Sequence, residues 1–147
     1  MKKNKEVKIA IVGSYFWKEI VNKLEKECVQ TLVASGVSQN NIHLFATPGA
    51  LEIPLIAQKL AKKGIYDAII ALGVIHKGKT YHFELIANEC IRGCMEVSRQ
   101  YEIPVIFEVL AVYAIEDAIQ RANDQDLNRG AEAANAALNM IETLSKL

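Results

Sequence analysis

Two hydrophobic rhythms alternate along the chain. Residues 7–12 (VKIAIV) are small and β-branched, which predicts a short strand, and Gly13-Ser14 reads as the turn after it. Ile20, Leu24, Cys28 and Leu32 then recur every fourth position to about Ser35, the stripe of an amphipathic helix that Gly36 stops. A second strand at 42–46 runs into Pro48-Gly49. The helix predicted over 51–63 tolerates Pro54 only near its first turn, and Gly64 ends it. Residues 68–72 (AIIAL) predict a fully apolar strand, followed by a polar, glycine-containing stretch at 74–80. A long helical pattern over 81–101 turns Leu85, Cys90, Cys94 and Val97 inward. Pro104 opens a fourth strand that reaches Leu110, a short helix covers 114–122, and a final helix covers 129–144.

Strand followed by helix, four times over, with strands apolar on both faces, predicts a three-layer α/β/α sandwich around a four-stranded parallel sheet. Right-handed crossovers place every strand's carboxyl end on one edge of such a sheet. Tyr15-Phe16-Trp17, the stretch from Pro48 to Glu52, the stretch from His76 to His82, and Val112-Tyr113 all gather there. The opposite loops, at 35–41, 63–67 and 100–103, read as plain connectors.

Composition narrows the classes of function. The 147 residues are 51% hydrophobic and 23% charged, which suits one ordinary domain spanning 1–147 and argues against disorder. Lys and Arg number 17 against 17 Asp and Glu, so no basic excess exists to bind a string of phosphates, and nucleic acid is not an expected partner. No apolar run is long enough for a membrane span and nothing reads as a secretion segment. The three cysteines have no zinc-type spacing. Cys90 and Cys94, four apart on a helix, read as buried thiols in a reducing, cytoplasmic setting.

Residues 73–80 match G-x-x-x-x-G-K-T, the phosphate-wrapping loop of nucleoside triphosphatases. Against that reading, Val74 and Ile75 look like more strand, and no apolar strand ends in an aspartate for magnesium. A narrower expectation survives. Gly78, Lys79 and Thr80 precede a helix whose free N–H groups favour an anion, with Lys77 and Lys79 adding charge and Thr80 capping the helix. His82 in the first turn is a candidate proton carrier, because a helix amino end disfavours imidazolium. His76 is less attractive, since the strand pattern directs it sideways, and His43 reads as structural. No two histidines have helical ligand spacing, so no metal is expected.

Phe16 and Trp17 either cover a flat heterocycle or pack in the core. Glu52 either accepts substrate hydroxyls or is a favourable first-turn acid, and Arg121 either grips phosphate or decorates the surface. No nucleophile elbow and no dinucleotide-binding glycine turn is present.

Five blocks, in order, then carry a resemblance. They are Pro48-Gly-Ala-Leu-Glu-Ile-Pro54; Ala71-Leu72-Gly73 leading to Gly78-Lys-Thr-Tyr-His-Phe83; Pro104-Val-Ile-Phe107; Ala118-Ile-Gln-Arg121-Ala; and Asn128-Arg-Gly-Ala-Glu132-Ala-Ala. Together they resemble the 6,7-dimethyl-8-ribityllumazine synthase family. The resemblance implies a flavodoxin-like fold and a transferase without cofactor or metal. Its reaction joins 5-amino-6-(D-ribitylamino)uracil to 3,4-dihydroxy-2-butanone 4-phosphate, giving the lumazine, phosphate and water. It further implies that Phe16, with Trp17 beside it, stacks on the pyrimidine. Ala50, Leu51 and Glu52 line the ribityl chain, Val74 and Ile75 border the ring, and Gly78, Lys79 and Thr80 hold phosphate. His82 moves protons. Phe107, Arg121 and Arg129 match positions supplied by a neighbouring subunit of a homopentamer, with Arg121 closing on phosphate. An association with riboflavin synthase also follows from the resemblance.

Several positions depart from the family pattern. Trp17 stands where asparagine is usual, Leu51 where a larger aromatic is frequent, and Glu108 where glycine is normal. Ala111 and Val112 replace paired threonines, Arg129 replaces lysine, and the loop at 123–127 lacks glycines. Such departures keep a non-catalytic relative, binding a flavin or lumazine or serving only in assembly, as the alternative. Nucleoside triphosphate binding ranks below it. Only six residues precede Val7, which weighs against closure of pentamers into a sixty-subunit shell and leaves single or paired rings open.

Overall fold

A computed structural model describes residues 3–126 and 128–147; Lys2 of the amino-terminal lysine cluster and Leu127 at the end of the 123–127 loop lie outside them. In chain order its elements are β1 (Ile9–Ser14), α1 (Lys18–Ala34), β2 (Ile42–Thr47), α2 (Ile53–Lys62), β3 (Ala68–His76), α3 (His82–Tyr101), β4 (Val105–Val112), α4 (Ile115–Asn123) and α5 (Arg129–Leu144). All strand pairs are parallel, in the order β2-β1-β3-β4.

Alternation along each strand divides the core in two. Ile9, Ile11, Ile70, Leu72, Leu110 and Val112 face α1, α4 and α5, where Leu24, Cys28, Ala118 and Ala134 meet them. Ala10, Val12, Ile69, Ala71 and Val109 face α2 and α3, meeting Ile53, Ala57, Cys90 and Cys94. Both sheet faces are thus covered, which is why β1 and β3 read as nearly continuous apolar runs. This is the expected α/β/α sandwich.

Several predicted boundaries shift. The first turn falls after Ser14, because Gly13 and Ser14 pair with Ala46 and Thr47 as strand. The helix foreseen over 51–63 begins as a single tight turn at Ala50–Glu52 before α2, with Pro54 second in that helix. β3 absorbs Val74, Ile75 and His76, and β4 continues through Ala111 and Val112.

Leu85 is not inward but 52% exposed. It lies five residues before Cys90, about 140° around the helix, whereas Phe83, Ile86 and Ala87 share the buried face.

The strand order has a direct consequence for function. From β1 the chain steps outward to β2, then returns across β1 to β3 and β4. A crevice therefore opens above the carboxyl ends of β1 and β3, the topological switch point where ligands of open α/β sheets bind.

Candidate active site

A cavity of about 530 Å³ occupies that crevice. The turn after β1 contributes Phe16 and Trp17. The turn after β2 contributes Pro48, Gly49, Ala50, Leu51 and Glu52. The end of β3 and the segment after it contribute Val74, Ile75, His76, Gly78 and Thr80, and α3 contributes His82, Phe83 and Ile86. Residues far apart in sequence converge because three loops leave the same sheet edge.

The walls differ in character. Phe16 is 77% exposed, and its ring meets Trp17 edge to face with centroids 5.9 Å apart. Trp17 in turn meets His76 at 5.9 Å and 80°. So large an exposed ring is available to a flat ligand and is not a core aromatic. At the β2 end, a side chain built on Gly49 would lie 3.1 Å from Glu52 Oε2, so the carboxylate folds back over the 48–49 turn.

Beyond β3, Thr80 does not cap α3 as foreseen. Tyr81 is already in helical conformation, occupies the cap position and offers no side-chain bond, so Thr80 lines the cavity instead. The first N–H groups of α3 consequently lack a side-chain cap, an arrangement that favours an anion.

Lys77 does not add free charge there. Its Nζ lies 3.4 Å from Glu84 Oε1 and 5.2 Å from the centre of the Tyr113 ring, while its N–H donates to the Val112 carbonyl at 2.9 Å. These contacts tie the segment after β3 to the end of β4. Lys79, exposed beside Thr80, is a cation available to a ligand, although it does not itself line the cavity.

The nucleoside triphosphate motif is overturned by the same geometry. Gly73 to His76 are strand and cannot wrap phosphates. Gly73 is small because a Cβ there would sit 2.4 Å from Ser14 Oγ on the adjacent strand.

The three histidines separate clearly. His43 is structural, as expected: Nδ1 bonds Tyr66 Oη at 2.8 Å and Nε2 bonds the Asn40 carbonyl at 3.1 Å. His82 begins α3 and faces the cavity. His76, set aside on the strand pattern, also faces it, because β3 ends there and its last side chain escapes the packed layers. Phe83 and Ile86 were missed as well. The available signal was helical spacing, since position 86 lies one turn from His82.

Phe107, Arg121 and Arg129 do not line this cavity. Phe107 packs partly buried against the α2/α3 layer. Arg121 and Arg129 border a separate concavity of about 100 Å³ with Gln120 and Asp124. Arg121 Nη1 donates to the Asp117 carbonyl at 3.0 Å, and Arg129 Nη1 pairs with Glu132 Oε2 at 2.6 Å.

Cys28, Cys90 and Cys94 are free and buried. Burial foremost, with the Glu25 and Glu108 carboxylates, pushes the Cys28 thiol up to about 12. The Cys90 thiol is held well above its ordinary range by its hydrogen bond with Cys94 and by burial. Protonated buried thiols are poor nucleophiles. Among the described residues, no three His, Cys, Asp or Glu side chains form a group able to hold a metal ion.

Glu108 shares the strand face of Ile106 and Leu110, toward α1 and α5. Burial first, and the Glu132 carboxylate second, push its carboxyl up to about 7, while Arg129 opposes them. An unfolded glutamate titrates near 4.3, so the folded chain holds this proton more tightly. Stability from that proton is fully present below the unfolded value and is lost as pH rises through about 7. Glu108→Gln is therefore expected to be more stable than the parent near pH 8, by about 1 kcal/mol after discounting for partial exposure. Near pH 4 the difference should vanish. Thermal midpoints at fixed protein concentration check this, and equal midpoints near pH 8 would mean that the carboxylate is adequately solvated.

A family model described as 6,7-dimethyl-8-ribityllumazine synthase matches residues 6–145. A curated protein named 6,7-dimethyl-8-ribityllumazine synthase, from Ruthia magnifica subsp. Calyptogena magnifica, is 42% identical over 147 residues, covering 97% of this chain and 88% of its own length. Among solved structures, a de novo designed Rossmann fold protein aligns with a TM-score of 0.45 at 15% identity, over 78% of this chain and 92% of that one. With the family match running from before β1 to the end of α5, and with that relative beside it, the chain belongs to the 6,7-dimethyl-8-ribityllumazine synthase family.

Proposed function

We propose that this enzyme of riboflavin biosynthesis condenses 5-amino-6-(D-ribitylamino)uracil with 3,4-dihydroxy-2-butanone 4-phosphate to form 6,7-dimethyl-8-ribityllumazine, phosphate and water. One observation carries the reading: an exposed aromatic ring, a carboxylate, an uncapped helix start and a histidine border a single cavity of about 530 Å³ at the switch point. That volume suits a small-molecule site.

In this reading Phe16 covers the pyrimidine, with Trp17 against its edge and Val74 and Ile75 beneath. Ala50, Leu51 and Glu52 hold the ribityl chain, with the Glu52 carboxylate accepting hydroxyl hydrogens. Gly78, Lys79, Thr80 and the start of α3 receive the phosphate. The 5-amino nitrogen attacks the ketone, and water leaves as the imine forms. Loss of the C3 proton then expels phosphate from C4 to leave an enol, whose keto tautomer is attacked by the ribitylamino nitrogen, closing the ring with loss of a second water.

His82 exchanges protons with the amine and the departing oxygens. Neutralisation of the leaving phosphate lowers the barrier where charge develops. Holding two substrates together removes much of the entropic cost of a bimolecular step. No protein nucleophile is needed.

In this reading one chain leaves the phosphate short of a cation, because Arg121 lies in a different concavity from His82. A homopentamer in which a neighbour supplies Arg121 to the phosphate, with Phe107 and Arg129 beside the substrate, answers that need, and a cytoplasmic location and an association with riboflavin synthase are part of the same reading. No described helix is long and apolar enough to cross a membrane.

Absorbance at the lumazine band during incubation with both substrates, with mass measurement on the same sample, tests the proposal. His82→Ala is expected to lower turnover about 10- to 100-fold without changing the assembly mass. Parental turnover in that variant removes His82 from the mechanism. Assembly and ligand binding without any turnover in the parent favour the non-catalytic alternative suggested by Trp17, Leu51 and Glu108.

A further inference from the structure

His76 ends β3, where its ring is exposed, and it stands edge to face with Trp17, whose ring stands edge to face with Phe16. The three rings form a connected series along one wall of the cavity that also holds His82. Among the described residues neither ring nitrogen of His76 has a hydrogen-bond partner, in contrast to His43, whose two nitrogens are both engaged. An imidazole held by a ring contact and open at both nitrogens offers one donor and one acceptor to a ligand.

We propose that His76 is a second binding residue for the heterocyclic substrate, its ring nitrogens hydrogen-bonding the carbonyl and amino edge of the pyrimidine that Phe16 covers. The assignment rests on the proposed reaction and deepens it. Contact with Trp17 limits rotation of the imidazole, so little freedom is lost when the ligand arrives. Its ring contact with Trp17, which itself meets Phe16, ties it to the aromatic wall of the cavity and directs it to the ring substrate. A polar edge recognised in this way also discriminates against flat ligands of the same size that lack the matching donors and acceptors.

Trp17 is the only tryptophan in the chain, so its emission reports occupancy of this wall without turnover. Binding of 5-amino-6-(D-ribitylamino)uracil is titrated by that emission, and KM is measured separately for each substrate. His76→Phe keeps a ring against Trp17 but removes both nitrogens. It is expected to raise Kd and KM for the pyrimidine about ten-fold, with kcat and the KM for the butanone phosphate changing less than about two-fold. His76→Gln, which restores a donor and an acceptor, is expected to recover most of that loss.

Pyrimidine affinity unchanged in His76→Phe overturns the assignment, as does an effect confined to the butanone phosphate or a loss that glutamine leaves untouched. A parent protein that neither binds the pyrimidine nor forms lumazine overturns the underlying reaction instead.

Discussion

Subunits carrying His82→Ala and subunits carrying Arg121→Ala, each impaired about 10- to 100-fold alone, are expected to regain activity when assembled together. His82 borders the cavity at the switch point, whereas Arg121 borders a separate concavity on the same chain, so one copy does not present both to one substrate. Loss of a charge-assisted contact to phosphate is worth about 1.5–3 kcal/mol, roughly a 10- to 100-fold effect and similar to that expected for His82. In the proposed ring, mixed from equal amounts, an intact site would need the histidine of one subunit and the arginine of its neighbour. Roughly a quarter of the junctions in a cyclic assembly meet that condition by chance. Co-assembled samples should therefore reach about a quarter of parental turnover, roughly 2.5 to 25 times either variant alone. Mass measurement of the same sample establishes that mixed rings formed. Activity equal to the average of the two variants in such rings would place the whole site within one chain.

Gly130→Ala is expected to cause the largest loss of stability among glycine-to-alanine changes in this chain. Gly130 is the second residue of α5, and a Cβ there would lie 2.2 Å from the Leu24 carbonyl oxygen and 3.0 Å from its carbon. Those are backbone atoms of α1 and cannot rotate aside, so the helices must separate. Around them Leu24, Ala133, Ala134 and Ala137 are buried, so the separation disturbs the core on this face of the sheet. Overpacking of this kind costs about 3 kcal/mol, the upper end of its usual range, which for a chain of this length lowers the thermal midpoint by about 10 °C. Gly78→Ala is the control, because nothing lies within 4 Å of a Cβ at that position. A midpoint for Gly130→Ala within a degree of the parent would show that α1 and α5 are not held at this distance.

Much of this was readable from residue patterns. β1 and β3 are apolar on both faces because helices cover both, and the same runs announce a parallel sheet before any contact is known. Gly78, Thr80 and His82 could be assigned to the sheet's carboxyl edge from connectivity alone. Misreadings occurred where a local pattern has more than one physical cause. Gly13-Ser14 looks like a turn but pairs with Ala46 and Thr47, since a small residue also suits close strand packing. Leu85 looks like core, yet the buried stripe of α3 passes through Phe83, Ile86 and Cys90. Lys77 looks like a phosphate ligand, but its charge is spent on Glu84.

Periodicity along the chain determined which residues form each element and which edge collects the polar loops, because both follow from backbone geometry over a few neighbours. Tertiary structure alone decided which of those loops share a cavity. The order β2-β1-β3-β4 sets Trp17 against His76, 59 positions away in sequence, and leaves Arg121 elsewhere. It also decided the face of Glu108, whose charge depends on burial and on Arg129 and Glu132 across the layer. Distances of that kind arise from packing between elements, and no local rule of sequence spacing contains them.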